Sequence, residues 1–246
     1  MIQAITERTS ILVNNEGLQK LESANILLAG VGGVGSFVAE ALIRAGVGNI
    51  TMIDMDTVDP SNINRQLVAL HSTIAKPKVE VMKQRALDIN PECNIDARQI
   101  FINPENTTEI LTEKKYNYVI DAIDTLNAKV NFVKTAHEMG IQTISSMGAG
   151  GKTDPTKIKV ADVYKTEVCP LARAMRTRLK KQRVKKGIKC VFSTEQGIAP
   201  LPPVEDENTE GRARATNGTL SYMPSIFGLM IAGLVIRDIV GDDFKK

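Results

Sequence analysis

The sequence of 246 residues contains no tryptophan, and aromatic residues make up only 4% of it. Proteins that hold single-stranded nucleic acid by stacking rely on aromatic side chains, so base stacking is not expected to be the main mode of binding here. The N-terminus also lacks a basic stretch followed by an apolar run, so we expect no secretion signal. With 43% hydrophobic and 24% charged residues, the chain has the composition of an ordinary folded domain.

Cysteine is scarce. The chain has three, Cys93, Cys169 and Cys190, and they are widely spaced. This set provides no disulfide framework, and it cannot supply a four-cysteine zinc site. We therefore predict a cytoplasmic protein without zinc.

Acidic residues are absent from one segment that is dense in positive charge. Between residues 173 and 189, called the basic segment below, there are nine basic side chains: Arg173, Arg176, Arg178, Lys180, Lys181, Arg183, Lys185, Lys186 and Lys189. The whole chain has a net charge of +3 and the basic segment contributes +9, so the rest of the chain has a net charge of 3 − 9 = −6. Such a concentration indicates a polyanionic partner, either nucleic acid or an anionic membrane. A solvated helix face is the alternative.

The first 145 residues alternate short apolar runs with helical patterns, which is typical of parallel βαβ units. We predict a Rossmann-like, doubly wound α/β fold with a mainly parallel sheet, whose C-terminal extension carries a basic helix and extra strands. Residues 1–150 would form the nucleotide-binding domain, and residues 151–246 the closing part of the same fold. The predicted strands are 25–29, 49–53, 94–100, 118–122, 142–145, 157–164 and 190–193. The predicted helices are 36–45, 78–89, 104–113, 126–139, 169–186 and 224–240, and a loop is expected at 197–216.

The apolar stretch near the C-terminus contains an uninterrupted apolar part of about 12 residues, whereas a membrane-spanning helix needs about 20. We predict a buried closing helix and no stable insertion into a membrane.

A glycine-rich turn is the strongest local motif. An apolar strand leads into Gly30, Gly32, Gly33 and Gly35, and a helical pattern follows. Such a turn brings backbone N–H groups and a helix N-terminus close to an anion. Asp54 stands where a ribose-binding carboxylate is expected, at the end of the second strand. Alone, these features predict a nucleotide, with NAD as the default.

Charged residues beyond the strand ends favour a triphosphate instead. Arg65 and Lys78 lie on loops after the carboxyl ends of strands, where ligands bind in open α/β sheets. Cations at such positions can hold phosphates and stabilise the charge that develops as one is displaced. Asp124, just past the fourth strand, is a candidate ligand for Mg²⁺.

Together these motifs resemble the superfamily of ThiF, MoeB and the ubiquitin-activating enzymes, which adenylate a carboxylate with ATP. The resemblance implies that Asp54 binds the ribose, that Asn62, Arg65 and Lys78 bind the phosphates, and that Asp124 binds the metal. Asp56 is either a second polar contact to the nucleotide or an acidic strand end. Arg8 matches an N-terminal arginine that reaches the neighbouring subunit's ATP, which implies a homodimer; an ordinary surface arginine is the alternative.

The second half narrows the resemblance. ThiF- and MoeB-like members usually carry two C-x-x-C pairs, which this chain lacks, and the segments around 148–158, 165–172 and 190–195 resemble the tRNA threonylcarbamoyladenosine dehydratases. That resemblance implies ATP-dependent cyclisation of a threonylcarbamoyl group on tRNA, with the basic segment contacting the tRNA. Cys169 is either a sulfur or acyl acceptor, served by a cysteine desulfurase, or an inert thiol.

Three other functions stay open from the sequence. The chain could activate the C-terminus of a sulfur-carrier or ubiquitin-like protein with the same ATP site. It could be an NAD-dependent oxidoreductase, which would leave Arg65, Lys78 and Asp124 without a role. It could also be a non-catalytic tRNA-binding protein.

Overall fold

The computed structural model describes residues 4–202 and 217–245. Seven strands lie in that part of the chain, and we number them in chain order: β1 Asn25–Ala29, β2 Asn49–Ile53, β3 Asn94–Arg98, β4 Tyr118–Asp121, β5 Gln142–Ser146, β6 Ile158–Asp162 and β7 Lys189–Ser193. They form one sheet in the order β3-β2-β1-β4-β5-β7-β6. All neighbours are parallel except β6 and β7, which pair antiparallel. The predicted mainly parallel α/β fold is confirmed.

Helices connect the parallel strands and cover both faces of the sheet, as right-handed βαβ units require. The α-helices among the described residues are α1 Thr9–Leu12, α2 Asn15–Ser23, α3 Gly35–Arg44, α4 Lys78–Ile89, α5 Pro104–Thr112, α6 Leu126–Glu138, α7 Pro170–Lys181 and α8 Tyr222–Val240. The domain boundary predicted near residue 150 stays a prediction. Strands β6 and β7, which follow it in the chain, belong to the same sheet as the first five strands.

Strand β1 shows how the core is divided. Its side chains alternate between the two faces, and both faces are apolar. Ile26 and Leu28 join the cluster covered by α3, α4 and α8, whereas Leu27 and Ala29 join the cluster beneath α5 and α6. A third cluster lies between α6, α7 and β7. Because β1 is buried on both sides, its carboxyl end is held rigidly where the glycine-rich turn begins.

Helix α8 is long and apolar enough to cross a membrane by length and composition alone. Here it contacts α2, α3, β5 and β7, and it buries Met223, Phe227, Ile231 and Val235 completely. Gly228 lets it approach α3 closely, since a Cβ there would lie 2.5 Å from the carbonyl oxygen of Val34. The helix packs as the predicted closing helix.

The basic helix is shorter than predicted. The predicted end at residue 186 is wrong, because α7 ends at Lys181. The N–H of Val184 donates to the carbonyl of Leu179 and that of Arg183 to Lys180, which is the Schellman pattern. Arg183 has φ +63°, a conformation that usually calls for glycine. No glycine or asparagine at that position marked the helix end in the sequence.

Other differences are small. The strands predicted at 94–100 and 157–164 are shorter, as Asn94–Arg98 and Ile158–Asp162. The loop predicted at 197–216 is irregular through residue 202, and the remainder of it lies outside the described residues.

Candidate active site

A cavity of about 1100 Å³ opens beyond the carboxyl ends of β1, β2, β4 and β5. The order of the strands reverses between β1 and β4, and ligands of open α/β sheets bind at such a switch point. One wall, the nucleotide wall, comes from the loops after β1, β2, β3 and β4 together with Arg65 and Lys78. The other, the acceptor wall, comes from residues 146–152, 168–173, 196–200 and 217–219. The cavity is therefore large enough for two reactants.

The glycine-rich turn after β1 forms part of the nucleotide wall. Gly30 has φ +92°, and a Cβ there would lie 2.6 Å from the carbonyl oxygen of Ala122. A Cβ at Gly35 would lie 1.8 Å from the carbonyl oxygen of Gly30, so a side chain would force the turn open. Gly30, Gly32 and Gly33 line the cavity, while Gly35 supports them from behind. The turn leads into α3, whose N-terminal N–H groups favour an anion.

Asp54 fixes the glycine-rich turn to the end of β2. Its Oδ2 accepts from the N–H of Val31 at 2.7 Å, and its Oδ1 accepts from the N–H of Asp56 at 2.9 Å. Burial raises the pKa of the Asp54 carboxyl above its ordinary value, although these two hydrogen bonds oppose the shift. Each carboxylate oxygen can accept a further bond, so Asp54 is placed to receive a ribose hydroxyl.

Lys78 and Asp56 form an ion pair on the nucleotide wall. The Nζ of Lys78 lies 2.8 Å from Oδ2 of Asp56, and the lysine side chain is only 6% exposed while the aspartate is 57% exposed. A buried ammonium is thus balanced by a carboxylate that faces solvent. A phosphate entering the cavity can take over that role, because it offers more acceptor oxygens than one carboxylate.

Arg65 also lines the cavity, and its guanidinium has no acidic partner among the described residues. It donates to the carbonyl oxygen of Ser61 at 2.8 Å and to Oδ1 of Asn64 at 3.0 Å. Because a guanidinium has five donors, several remain available for an anion. Among the described residues no carboxylate is in direct contact with Arg65 at the place predicted for phosphates, although its charge acts at longer range on Asp59.

Asp124 follows β4 and is exposed on the cavity wall. Its Oδ1 accepts from the hydroxyl of Thr125 at 3.1 Å. Among residues 4–202 and 217–245, no three His, Cys, Asp or Glu side chains form a group that could hold a metal. A cation at Asp124 would therefore need most of its other ligands from substrate or water.

A buried ion pair that no sequence motif indicated lies close to Asp124, on β4 and α6. The Nζ of Lys129 donates to Oδ2 of Asp121 at 2.6 Å and to the carbonyl oxygen of Ser146 at 3.0 Å, and both charged side chains are 0% exposed. Asp121 also accepts from the hydroxyl of Ser145 at 2.5 Å and from the N–H of Ile123 at 3.0 Å. The pair joins the end of β4 to the end of β5. In the sequence, the one signal for this pair is that Lys129 stands among apolar residues of α6, next to Ala128 and Val130.

Two further predicted residues are not on the cavity wall. Asn62 is buried in a turn, where its Oδ1 accepts from the N–H of Asp59 at 3.2 Å, so a direct phosphate contact would require it to leave that turn. Arg8 is exposed and lies near Thr6, whose side chain packs beside Gly46 at the C-terminal end of α3. That end is opposite to the glycine-rich turn, so Arg8 does not line the cavity of its own chain.

The acceptor wall contains two residues that precede α7. Val168 has φ +63°, a strained conformation for a β-branched residue, and such strain is common at functional sites. Cys169 follows and lines the cavity, although the residue is only 2% exposed. Arg173, one turn into α7, is exposed at the cavity wall and connects it to the basic segment.

Within the basic segment, three side chains are already engaged. Arg176 donates to the carbonyl oxygens of Val163 and Thr166, and Arg178 donates to Oδ1 of Asn127. Lys189 lies 2.5 Å from Asp238. The side chains left exposed are Arg173, Lys180, Lys181, Arg183, Lys185 and Lys186.

The sheet order, the glycine-rich turn and the charged residues around it define a Rossmann-like nucleotide-binding protein. A family model described as the ThiF family matches residues 7–246. The tRNA threonylcarbamoyladenosine dehydratase of Bacillus subtilis is 43% identical over 240 residues, which are 96% of this chain and 94% of that protein. A structure of the Escherichia coli tRNA N6-threonylcarbamoyladenosine dehydratase, TcdA, in complex with ATP matches with a TM-score of 0.86 and 35% identity, over 97% of this chain and 96% of that one.

A relative with the alternative activity matches less of the chain. The molybdopterin-synthase adenylyltransferase of Haemophilus influenzae is 32% identical over 133 residues, which are 54% of each protein. The chain therefore belongs to the ThiF family and, within it, to the tRNA threonylcarbamoyladenosine dehydratases.

Proposed function

We propose that this protein is an ATP-dependent tRNA threonylcarbamoyladenosine dehydratase. The observation that carries the proposal is the two-walled cavity: Arg65 and Lys78 stand on the nucleotide wall, while the acceptor wall continues through Arg173 into the basic segment. The similarity to the dehydratases also extends through the second half of the chain. A sulfur-carrier activator would need the nucleotide wall but has no use for the basic segment.

The reaction consists of two steps. The carboxylate of the threonylcarbamoyl group attacks the α-phosphorus of ATP, forming an acyl-adenylate and releasing pyrophosphate. The carbamoyl group then attacks the activated carbonyl carbon, expels AMP and closes a ring, with the net loss of one water. Because the second nucleophile is tethered to the same side chain, no enzyme nucleophile is needed. The protein has to hold the two reactants and stabilise charge on the phosphates.

The nucleotide wall supplies the ATP contacts. Asp54 would accept from the ribose, and the glycine-rich turn would bring N–H groups to the phosphates. Lys78 would exchange its bond to Asp56 for phosphate oxygens, and Arg65 would contribute its free donors. Asn62 would act from behind the wall by shaping the turn that carries Arg65, since both the Asn62 carbonyl and its side chain hold that turn.

Mg²⁺ fits the residues present. This ion typically binds one or two carboxylates together with substrate phosphates and waters, and Asp124 offers one exposed carboxylate on the cavity wall. Asp124 would hold the ion, which would neutralise phosphate charge when bound. The buried Asp121–Lys129 pair would keep the Asp124 loop in place.

The tRNA would lie across the exposed part of the basic segment. Arg173, Lys180, Lys181, Arg183, Lys185 and Lys186 would contact phosphates, whereas Arg176 and Arg178 would mainly hold α7 to its neighbours. Phosphate contacts of this kind fix position without reading sequence.

We also propose a homodimer in which Arg8 reaches the partner's ATP. Arg8 lies outside its own cavity, and the adjoining α1 exposes Ile11 and Leu12 at 68% and 65%. Exposed apolar side chains next to an arginine that lies outside its own active site suit a subunit interface. Sulfur transfer from a cysteine desulfurase to Cys169 stays a prediction; the 2% exposure of this residue means that the segment would have to open first.

The test is the release of AMP and pyrophosphate from ATP with tRNA that carries the threonylcarbamoyl group and with unmodified tRNA. We expect release only with the modified tRNA, and we expect Arg65→Ala and Asp124→Ala to abolish it. The matched controls are Arg44→Ala and Asp88→Ala, on α3 and α4 outside the cavity, which should retain activity. Release with neither tRNA would refute the assignment, and carrier-protein tails and NAD would then be tested in turn.

A further inference from the structure

The acceptor wall contains a buried cation that is not among the proposed contacts to ATP, Mg²⁺ or the tRNA phosphates. Lys152 directly follows the glycine-rich loop after β5, is 4% exposed and lines the cavity. Its Nζ donates to the carbonyl oxygen of Glu195 at 3.1 Å. Within residues 4–202 and 217–245, no carboxylate lies within 4 Å of this ammonium. No motif in the sequence marks Lys152 as a site residue.

The nearest acidic side chain on the wall is engaged elsewhere. The carboxylate of Glu195 accepts from the N–H groups of Thr153 at 3.0 Å and Asp154 at 2.9 Å, and from the Thr153 hydroxyl at 3.0 Å. These bonds lower the pKa of Glu195, with the Asp154 N–H contributing most. Glu195 therefore shapes the loop around Lys152. Its backbone carbonyl accepts the hydrogen bond from the ammonium, and its carboxylate acts on Lys152 only as a charge more than 4 Å away.

A lysine ammonium has three donors, and a buried charge is costly unless an opposite charge balances it. Lys78 in the same cavity has such a balance in direct contact with Asp56, but the hydrogen-bond partner of Lys152 among the described residues is one carbonyl oxygen. The remaining donors of Lys152 are beside an open cavity. This combination indicates an anionic ligand on the acceptor wall, away from the phosphate-binding cations of the nucleotide wall.

We propose that Lys152 binds the carboxylate of the threonylcarbamoyl group and holds it against ATP. One carboxylate oxygen accepts from Nζ, and the other is left to attack the α-phosphorus. This assignment rests on the proposed function, and it deepens it by naming the residue that recognises the modification. Unmodified tRNA lacks the carboxylate, so Lys152 distinguishes the two tRNAs, whereas the basic segment contacts both alike.

The experiment compares Lys152→Met, Lys152→Gln and Lys152→Arg with the control Lys159→Met, which removes an exposed lysine on β6 outside the cavity. For each we measure the unfolding midpoint, ATP affinity, affinity for modified and unmodified tRNA, and kcat and KM for AMP release. If Lys152→Met does not fold, Lys152→Gln carries the test, because its amide keeps a donor for the Glu195 carbonyl.

We expect Lys152→Met and Lys152→Gln to weaken binding of modified tRNA by about 10- to 100-fold, the usual effect of losing a hydrogen bond to a charged group. The change should appear in KM for tRNA, with ATP affinity and unmodified-tRNA affinity unchanged. Lys152→Arg should restore part of the preference for modified tRNA, and Lys159→Met should behave like the wild type.

Two results would overturn the assignment. One is wild-type turnover and wild-type preference for modified tRNA in the Lys152→Gln variant. The other is a loss of ATP affinity as large as the loss of activity, which would place Lys152 in the nucleotide site or in the loop scaffold. Failure of the proposed function would be seen separately, because the wild-type protein itself would then release no AMP with modified tRNA.

Discussion

The buried pair of Lys129 and Asp121 gives the sharpest stability prediction. Both side chains are 0% exposed and their charged atoms are 2.6 Å apart. Lys129→Met keeps the apolar stem but leaves the carboxylate of Asp121 buried and unpaired, a change that typically costs about 3–5 kcal/mol. Asp121 retains the Ser145 hydroxyl and the Ile123 N–H as donors. We therefore expect the lower end, about 3 kcal/mol, or about 6–12 °C in Tm for a domain of this size.

The assay is thermal and urea unfolding followed by far-UV circular dichroism, since the chain has no tryptophan to report by fluorescence. Lys134→Met is the matched control on the same helix, because Lys134 forms an exposed i,i+4 pair with Glu138. Such pairs contribute about 0.3–0.5 kcal/mol. Replacing both members of the buried pair, by Lys129→Met with Asp121→Asn, should recover part of the loss. The reasoning would be refuted if Lys129→Met and Lys134→Met lost the same free energy of unfolding. It would also be refuted if Lys129→Met lost less than about 1 kcal/mol.

Three further predictions concern the nucleotide and tRNA sites. Gly35→Ala should abolish ATP binding, because the new Cβ would lie 1.8 Å from the carbonyl oxygen of Gly30; Gly233→Ala, with no atom within 4 Å, should bind ATP normally and stabilise α8 by about 0.5–1 kcal/mol. Lys185→Ala combined with Lys186→Ala should lower the slope of log affinity for tRNA against log salt by about 0.7–0.9 per lost phosphate contact, with ATP affinity unchanged; an unaltered slope would remove these lysines from the tRNA site. Burial raises the pKa of Asp54, so as the pH is lowered ATP affinity should begin to fall at a higher pH than it would with an ordinary aspartate, because protonation removes acceptor capacity for the ribose. In a titration calorimeter, Asp54→Asn should bind ATP more weakly and without this pH dependence.

Local patterns in the sequence were sufficient for most of the fold. The predicted limits of β1, β2 and α4 agree with the structure residue for residue, because apolar runs and turn residues mark both ends of each. The end of α7 was missed because Arg183 adopts a left-handed conformation that its residue type does not favour, just before Val184 enters the cluster between α6, α7 and β7. Neither glycine nor asparagine stands at this helix end, so the sequence there carries no local signal for it.

The same limit applies to the candidate site. Asp54 and Asp124 were predictable because each lies just beyond a strand end, and Arg65 and Lys78 because they lie in motifs of the connection after β2 that the family resemblance also marks. Lys152 was not, because its environment depends on a carbonyl 43 residues further along the chain. A pattern of residue types cannot show which charges find a partner after folding.

The partners of the cavity lysines and arginine distinguish structural from ligand-binding charge. Lys129 is balanced by a buried carboxylate and so belongs to the scaffold, and Lys78 is balanced by a carboxylate that solvent can reach and so is exchangeable. Arg65 and Lys152 have only neutral oxygens as partners among the described residues. Two cations without a carboxylate in direct contact, one on each wall, suit a reaction between two anions, because a carboxylate approaches a polyphosphate only where protein charge offsets their repulsion. The distribution of unpaired charge therefore favours adenylation of a carboxylate over hydride transfer, in which Arg65 and Lys152 would have no anions to bring together.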